Sequence, residues 1–168
     1  MIFSKRFVSE CREYSTYTAH VAAPLFRKSF IIHGKASQGE IVLCGLGFYD
    51  LFLNGRKITK GLLAPYVSNP DHILYYDRYD IAPYLQPGEN VIAIMLGDGF
   101  LNCKTHVWDF SQSVFRSAPK LAVHVAVEDE EERQEWEASD FLCRKGPVVF
   151  NDYRNGIFFD KRLEPEGW

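Results

Sequence analysis

Residues 41–58 read Ile41-Val42-Leu43-Cys44-Gly45-Leu46-Gly47-Phe48-Tyr49-Asp50-Leu51-Phe52-Leu53-Asn54-Gly55-Arg56-Lys57-Ile58. The apolar run 41–53 is too long for one flat strand, and two glycines interrupt it. A bend or bulge near Gly45 and Gly47 is therefore expected, giving two strands rather than one. Asn54-Gly55 then supplies the strongest short hairpin signal, because these residues tolerate positive φ, with 56–58 as the return limb. A chain that doubles back so tightly is building antiparallel sheet.

The flanks read the same way. Residues 25–32 alternate, with Phe26, Phe30 and Ile32 on one face and Arg27 and Ser29 on the other. Downstream, 61–71 is a loop punctuated by Pro65 and Pro70, and 73–79 is a strand. Residues 80–85 suit one helical turn, capped by Asp80, with Pro83 near its start. After a turn at 86–89, residues 90–96 are apolar on both faces, as in a strand held between two layers. Gly97-Asp98-Gly99 opens an irregular stretch to Ser117. Residues 120–127 alternate cleanly, and 129–137 reads as an acidic turn followed by a solvent-facing strand. Two more short strands, 141–150 and 157–163, flank Asn155-Gly156.

Eight to ten short strands without an amphipathic helix predict an all-β fold, a two-sheet antiparallel β-sandwich. Residues 1–22 are the least patterned and read as an N-terminal arm or extra strand beside a sandwich domain of residues 23–168.

Composition agrees. The chain has 168 residues, 46% hydrophobic and 24% charged, which suits one globular domain. Aromatic residues reach 15%, and such side chains favour pleated, half-buried surfaces. A net charge of −3 offers no basic footprint for nucleic acid. No apolar run approaches the roughly 18 residues that would cross a membrane as a helix. The start lacks the apolar core of a signal peptide, so a cytoplasmic location is expected. Cys11, Cys44, Cys103 and Cys143 are scattered without a Cys-x-x-Cys pair, and read as reduced thiols. The end at Pro165-Glu166-Gly167-Trp168, with no polar tail, suggests a polypeptide that continues.

Catalytic signatures are absent. No Gly-x-Ser-x-Gly elbow or phosphate-binding glycine loop occurs. Gly45-Leu46-Gly47 lacks the third glycine and following helix of a dinucleotide site. The five histidines lack the spacing of a helical zinc pair. Carboxylates fall in turns or in the solvated run 128–132, so no catalytic residue is assigned. The loop 98–109 is richer. Asp98, Asn102, Trp108 and Asp109, with His106 and the ring of Phe110, combine flat apolar faces with hydroxyl-binding polar groups, the mixture sugars need. Asp98 and Asn102 are also hard oxygen ligands of the kind calcium takes. The alternative is that Asp98-Gly99 makes a tight turn and Asn102 caps the loop backbone.

These residues carry a resemblance. Residues 45–56, read above, resemble the G-x-Y-x-L-x-L-N-G-x-x-V element of the N-terminal β-sandwich domain of bacterial α-L-rhamnosidases. Leu63-Ala64-Pro65, Tyr76-Asp77-Arg78-Tyr79-Asp80-Ile81, Gly88-Glu89-Asn90-Val91-Ile92 and Leu96-Gly97-Asp98-Gly99-Phe100 follow in the same order. So do Asn155-Gly156-Ile157-Phe158-Phe159-Asp160-Lys161-Arg162-Leu163, similar to G-E-x-Y-D-A-R, and Gly167-Trp168.

The resemblance implies a jelly-roll-like, non-catalytic accessory domain of a larger glycoside hydrolase. Its partner would be a helical barrel of the same polypeptide that carries the acid and base for inverting hydrolysis of terminal α-L-rhamnosides. No cofactor is implied for that chemistry. Some related domains bind rhamnose through calcium, so a module for rhamnose-containing glycans is the alternative, with Asp98 and Asn102 as metal ligands. Two departures stand out: Tyr66-Val67-Ser68-Asn69-Pro70 replaces the usual G-W-x-x-Y, and Phe100-Leu101-Asn102 replaces Trp-Tyr after Gly-Asp-Gly. Tyr49, Phe52, Phe158 and Trp168 are expected to face the neighbouring domain.

Overall fold

A computed structural model describes residues 6–16, 18–101 and 116–166. Eleven strands appear among them: β1 (Pro24–Ile32), β2 (Gln38–Leu46), β3 (Tyr49–Leu53), β4 (Arg56–Lys57), β5 (Asp77–Asp80), β6 (Gly88–Leu96), β7 (Lys120–Glu128), β8 (Arg133–Glu137), β9 (Leu142–Lys145), β10 (Val148–Asp152) and β11 (Gly156–Phe159). One sheet runs β4-β3-β6-β1-β9, the other β5-β2-β7-β8, and β10-β11 form a separate pair. All named pairings are antiparallel. The expected two-sheet sandwich is the fold, with a hairpin added at one end.

The period-2 pattern sets the register. Phe26, Leu51, Ile92, Ile94 and Leu96 point inward from the five-stranded sheet and meet Ile41, Leu43, Leu121, Val123 and Val125 from the four-stranded one. All ten are essentially free of solvent contact, and each such side chain contributes about 1.5–3 kcal/mol by leaving water. The run 41–53 does divide, with β2 and β3 separated by Gly47 at φ 118. Asn54 and Gly55 take φ 51 and 77, as a two-residue hairpin turn with both central residues left-handed requires. The Asn54 side chain then donates to buried Asn90 at 2.8 Å and accepts from the Val91 N–H at 2.8 Å, fastening the hairpin to β6.

A polar link joins the two sheets. Tyr49 on β3 donates its hydroxyl proton to Asp77 of β5, and the Tyr79 hydroxyl donates back to it at 2.7 Å. Burial, and then the neighbouring Asp77 carboxylate, push the Tyr49 hydroxyl pKa well above the ordinary tyrosine value.

Several expectations need correction. Tyr49 is 3% exposed and inside the sandwich, so it faces no neighbouring domain. Its hydroxyl finds a partner across the core, which the hydrophobic pattern does not reveal. Phe52 is half-buried on the outer face, Phe158 is exposed, and Trp168 lies outside the described residues. β6 is buried on one face only, with Val91, Ala93 and Met95 half-buried on the other. The strand expected at 73–79 shrinks to β5, because 73–76 has no ladder partner. The stretch 141–150 divides at Gly146-Pro147, where proline withdraws a ladder donor. After Phe159 the chain turns as a short 3-10 segment, Lys161–Leu163, its start held by the Asp160 side chain.

In the N-terminal stretch Val8 bridges Leu121 on β7. It occupies the edge of β7 beyond the end of the β8 pairing, which begins at His124.

Candidate functional site: the Asp98 corner

The corner forms where the bend between β2 and β3 crosses the exit of β6. A Cβ on Gly47 would stand 2.1 Å from the Gly97 carbonyl oxygen, and one on Gly99 2.9 Å from the Phe48 nitrogen. Only glycines let the two backbones approach so closely. The Gly97 N–H donates to the Phe48 carbonyl at 2.6 Å and locks the crossing.

This geometry turns Asp98 inward. It is 1% exposed, and its backbone N–H donates to the side-chain oxygen of Asn151 on β10. Asn151 is itself buried, and its side-chain NH₂ has no hydrogen-bond partner among the described residues. Asp152 accepts from the Arg154 and Asn155 backbone N–H groups at 2.9 and 3.0 Å, shaping the β10–β11 turn. That turn sets Tyr153 against Phe100, ring centroids 4.3 Å apart, while Phe48 meets Phe100 edge-on at 5.8 Å. The Arg154 guanidinium lies 5.0 Å from the Tyr153 ring centre.

A cleft of about 260 Å³ opens beside the corner, lined by Leu62, Leu63, Asn151 and Ile157 together with Phe48 and Met95. Its rim is apolar and exposed: Leu62 is 89% and Ile157 69% accessible. Every residue of β11 is exposed.

Of the candidate site residues, Asp98 belongs to this corner, whereas Asn102, Trp108 and Asp109 lie outside the described residues. A calcium ion takes 6–8 oxygen ligands. Among the described residues no three His, Cys, Asp or Glu side chains converge as a metal site would need. Asp98 is thus the described half of the expected ligand pair, and Asn102 falls among the residues that are not described. Asn151, Phe48 and Tyr153 were not anticipated. Asn151 and Asp152 do interrupt an apolar run, but the meeting of Asn151 with Asp98 spans 53 positions of sequence.

The comparisons place this fold in a family. The model of the "Alpha-L-rhamnosidase N-terminal domain" matches residues 34–168. An α-L-rhamnosidase of Formosa agariphila is 31% identical over 153 residues, covering 88% of this chain and 16% of that protein. The structure of α-L-rhamnosidase from Dictyoglumus thermophilum superposes with a TM-score of 0.72 at 31% identity, over 88% of this chain and 16% of that one. That of the Streptomyces avermitilis α-L-rhamnosidase complexed with L-rhamnose gives 0.73 at 26% identity, over 89% and 15%. The chain therefore spans about one sixth of the length of these relatives. With that family model matching residues 34–168, the chain is a member of the α-L-rhamnosidase N-terminal domain family.

Proposed function

We propose that this chain is a non-catalytic accessory module of an α-L-rhamnosidase-type hydrolase, seated against a catalytic helical barrel of the same polypeptide. Residues 23–168 are taken as the module, and 1–22 as an N-terminal arm or extra strand. The observation that carries the reading is the exposed apolar rim around the 260 Å³ cleft, the kind of surface that marks a protein contact.

The free chain is expected to bind a hydrophobic dye or to self-associate. Leu62→Ser combined with Ile157→Ser should remove most of that signal and change stability by no more than about 0.5 kcal/mol per site. A monodisperse wild type that ignores the dye would overturn the docking role.

A second reading is favoured by the buried Asp98–Asn151 pair beside three aromatic rings. In it the corner and the loop after it, with Asn102, Trp108 and Asp109, hold a rhamnose-type sugar, with Asp98 and Asn102 as calcium ligands. L-Rhamnose should then saturate with an affinity between millimolar and micromolar, about −4 to −8 kcal/mol, in a calcium-dependent manner. Asp98→Asn and Asn102→Ala should each abolish it. Unchanged calorimetric titrations in both variants would sink the assignment.

A further inference from the structure

A second concavity, of about 640 Å³, lies on the outer face of the four-stranded sheet. It sits at the Gln38 end of β2, while the Asp98 corner adjoins the Leu46 end, about 20 Å away at the rise of an extended chain. Register builds its floor. Asp80, Glu40 and Ala126 are direct neighbours on β5, β2 and β7, so their side chains share one face. Ala126 is short where the residues around it are long, and the surface sinks there. Lys60, from the chain after β4, and Arg133 on β8 stand at the margins.

The rim carries both charges in fixed positions. The Arg78 Nε lies 3.1 Å from Glu40, and Arg133 lies 4.0 Å from Glu128 and 2.7 Å from Glu135. Asp80 accepts from the Ala82 backbone N–H at 3.1 Å. Lys60 has no carboxylate within ion-pair distance among the described residues. Cations and carboxylates balance, so net charge on a ligand would gain little. Among the described lining residues the apolar ones are Ala82, Ala126 and Val127, and the Val127 side chain belongs to the core, so an apolar ligand gains little too. A hydroxyl both donates and accepts, and can bridge a guanidinium or ammonium group and a carboxylate at once. The volume equals that of about twenty waters, more than a single monosaccharide ring fills, and it falls within the roughly 300–1,000 Å³ common for small-ligand sites.

We propose that this groove binds a neutral oligosaccharide of at least two sugar units. The inference goes beyond the accessory role and does not require the Asp98 corner to bind anything.

The test is a ¹⁵N-edited NMR titration of the 168-residue chain with rutinose, a neutral rhamnosyl-glucose disaccharide. Saturating shifts are expected on the amides of Gly39, Glu40 and Ala126, with millimolar affinity. Glu40→Gln and Lys60→Met, both at a solvated rim, should each weaken binding about tenfold and leave the rest of the spectrum in place. Absence of saturation at tens of millimolar overturns the proposal, as do shifts confined to the surroundings of Asp98 or wild-type affinity in both variants. A parallel titration with digalacturonate decides the charge question. Tighter, salt-sensitive binding of that anion would also overturn the neutral-ligand assignment.

Discussion

Replacing Gly47 with alanine costs the domain at least about 3 kcal/mol, measured as a shift in the urea midpoint. Two penalties coincide. At φ 118 an L side chain is strained wherever it points. The new Cβ would also stand 2.1 Å from the Gly97 carbonyl oxygen, which is backbone and cannot rotate aside. Relief requires separating the crossing, which breaks the Gly97-to-Phe48 hydrogen bond and displaces Asp98 from Asn151. Gly55→Ala is the control. Its φ is 77, but nothing lies within 4 Å of its Cβ, so only the backbone term of about 1–2 kcal/mol applies. Equal losses in the two variants would mean that the crossing yields without cost.

Tyr49→Phe is the second large effect, at about 2–3 kcal/mol, because it strips a hydroxyl from both Asp77 and Tyr79 inside the sandwich. Its pH dependence is more diagnostic. Burial raises the Tyr49 and Tyr79 hydroxyls and lifts the Cys44 thiol to about 11. The unfolded chain releases such protons near about pH 8.5–10, while the folded chain retains them. Their contribution is therefore complete below the unfolded pKa values and is lost as pH rises toward the folded ones. The slope is about 1.4 kcal/mol per pH unit for each retained proton. Between about pH 10 and 12 the Tyr49→Phe variant should lose stability less steeply than wild type, by about one proton. Parallel slopes in urea melts across that range would refute the cross-sheet link.

Much of the sandwich was legible because its signals are local. The Asn54-Gly55 turn, the alternation of residues 120–127 and the glycine break at Gly47 each act within a few residues of themselves. Tyr49 shows where this fails: a tyrosine in an apolar run looks the same whether its hydroxyl reaches solvent or a carboxylate on the opposite sheet. β6 misled in a related way, since a half-buried outer face and a fully buried one both select apolar residues. Of the described residues at the corner, Asp98 stands out locally, as a polar residue between two glycines. Asn151 and Tyr153 join it through the β10–β11 hairpin, a contact that the fold creates and no local spacing encodes. The polar groove was hidden for the same reason, its charges coming from four strands and a loop.

The pairing of β1 with β9 also has a consequence for synthesis on the ribosome. Arg27 and its partner Leu142 are 115 residues apart in the chain. At about 5–20 residues per second, one edge of β1 waits roughly 6–23 seconds for the strand that closes it. During that interval the nascent domain offers an open hydrogen-bonding edge beside Phe26, the hazard that an exposed strand presents to neighbouring chains. Slower translation would lengthen the exposure in proportion, so the yield of soluble protein should depend on elongation rate as well as on the stability of the finished fold.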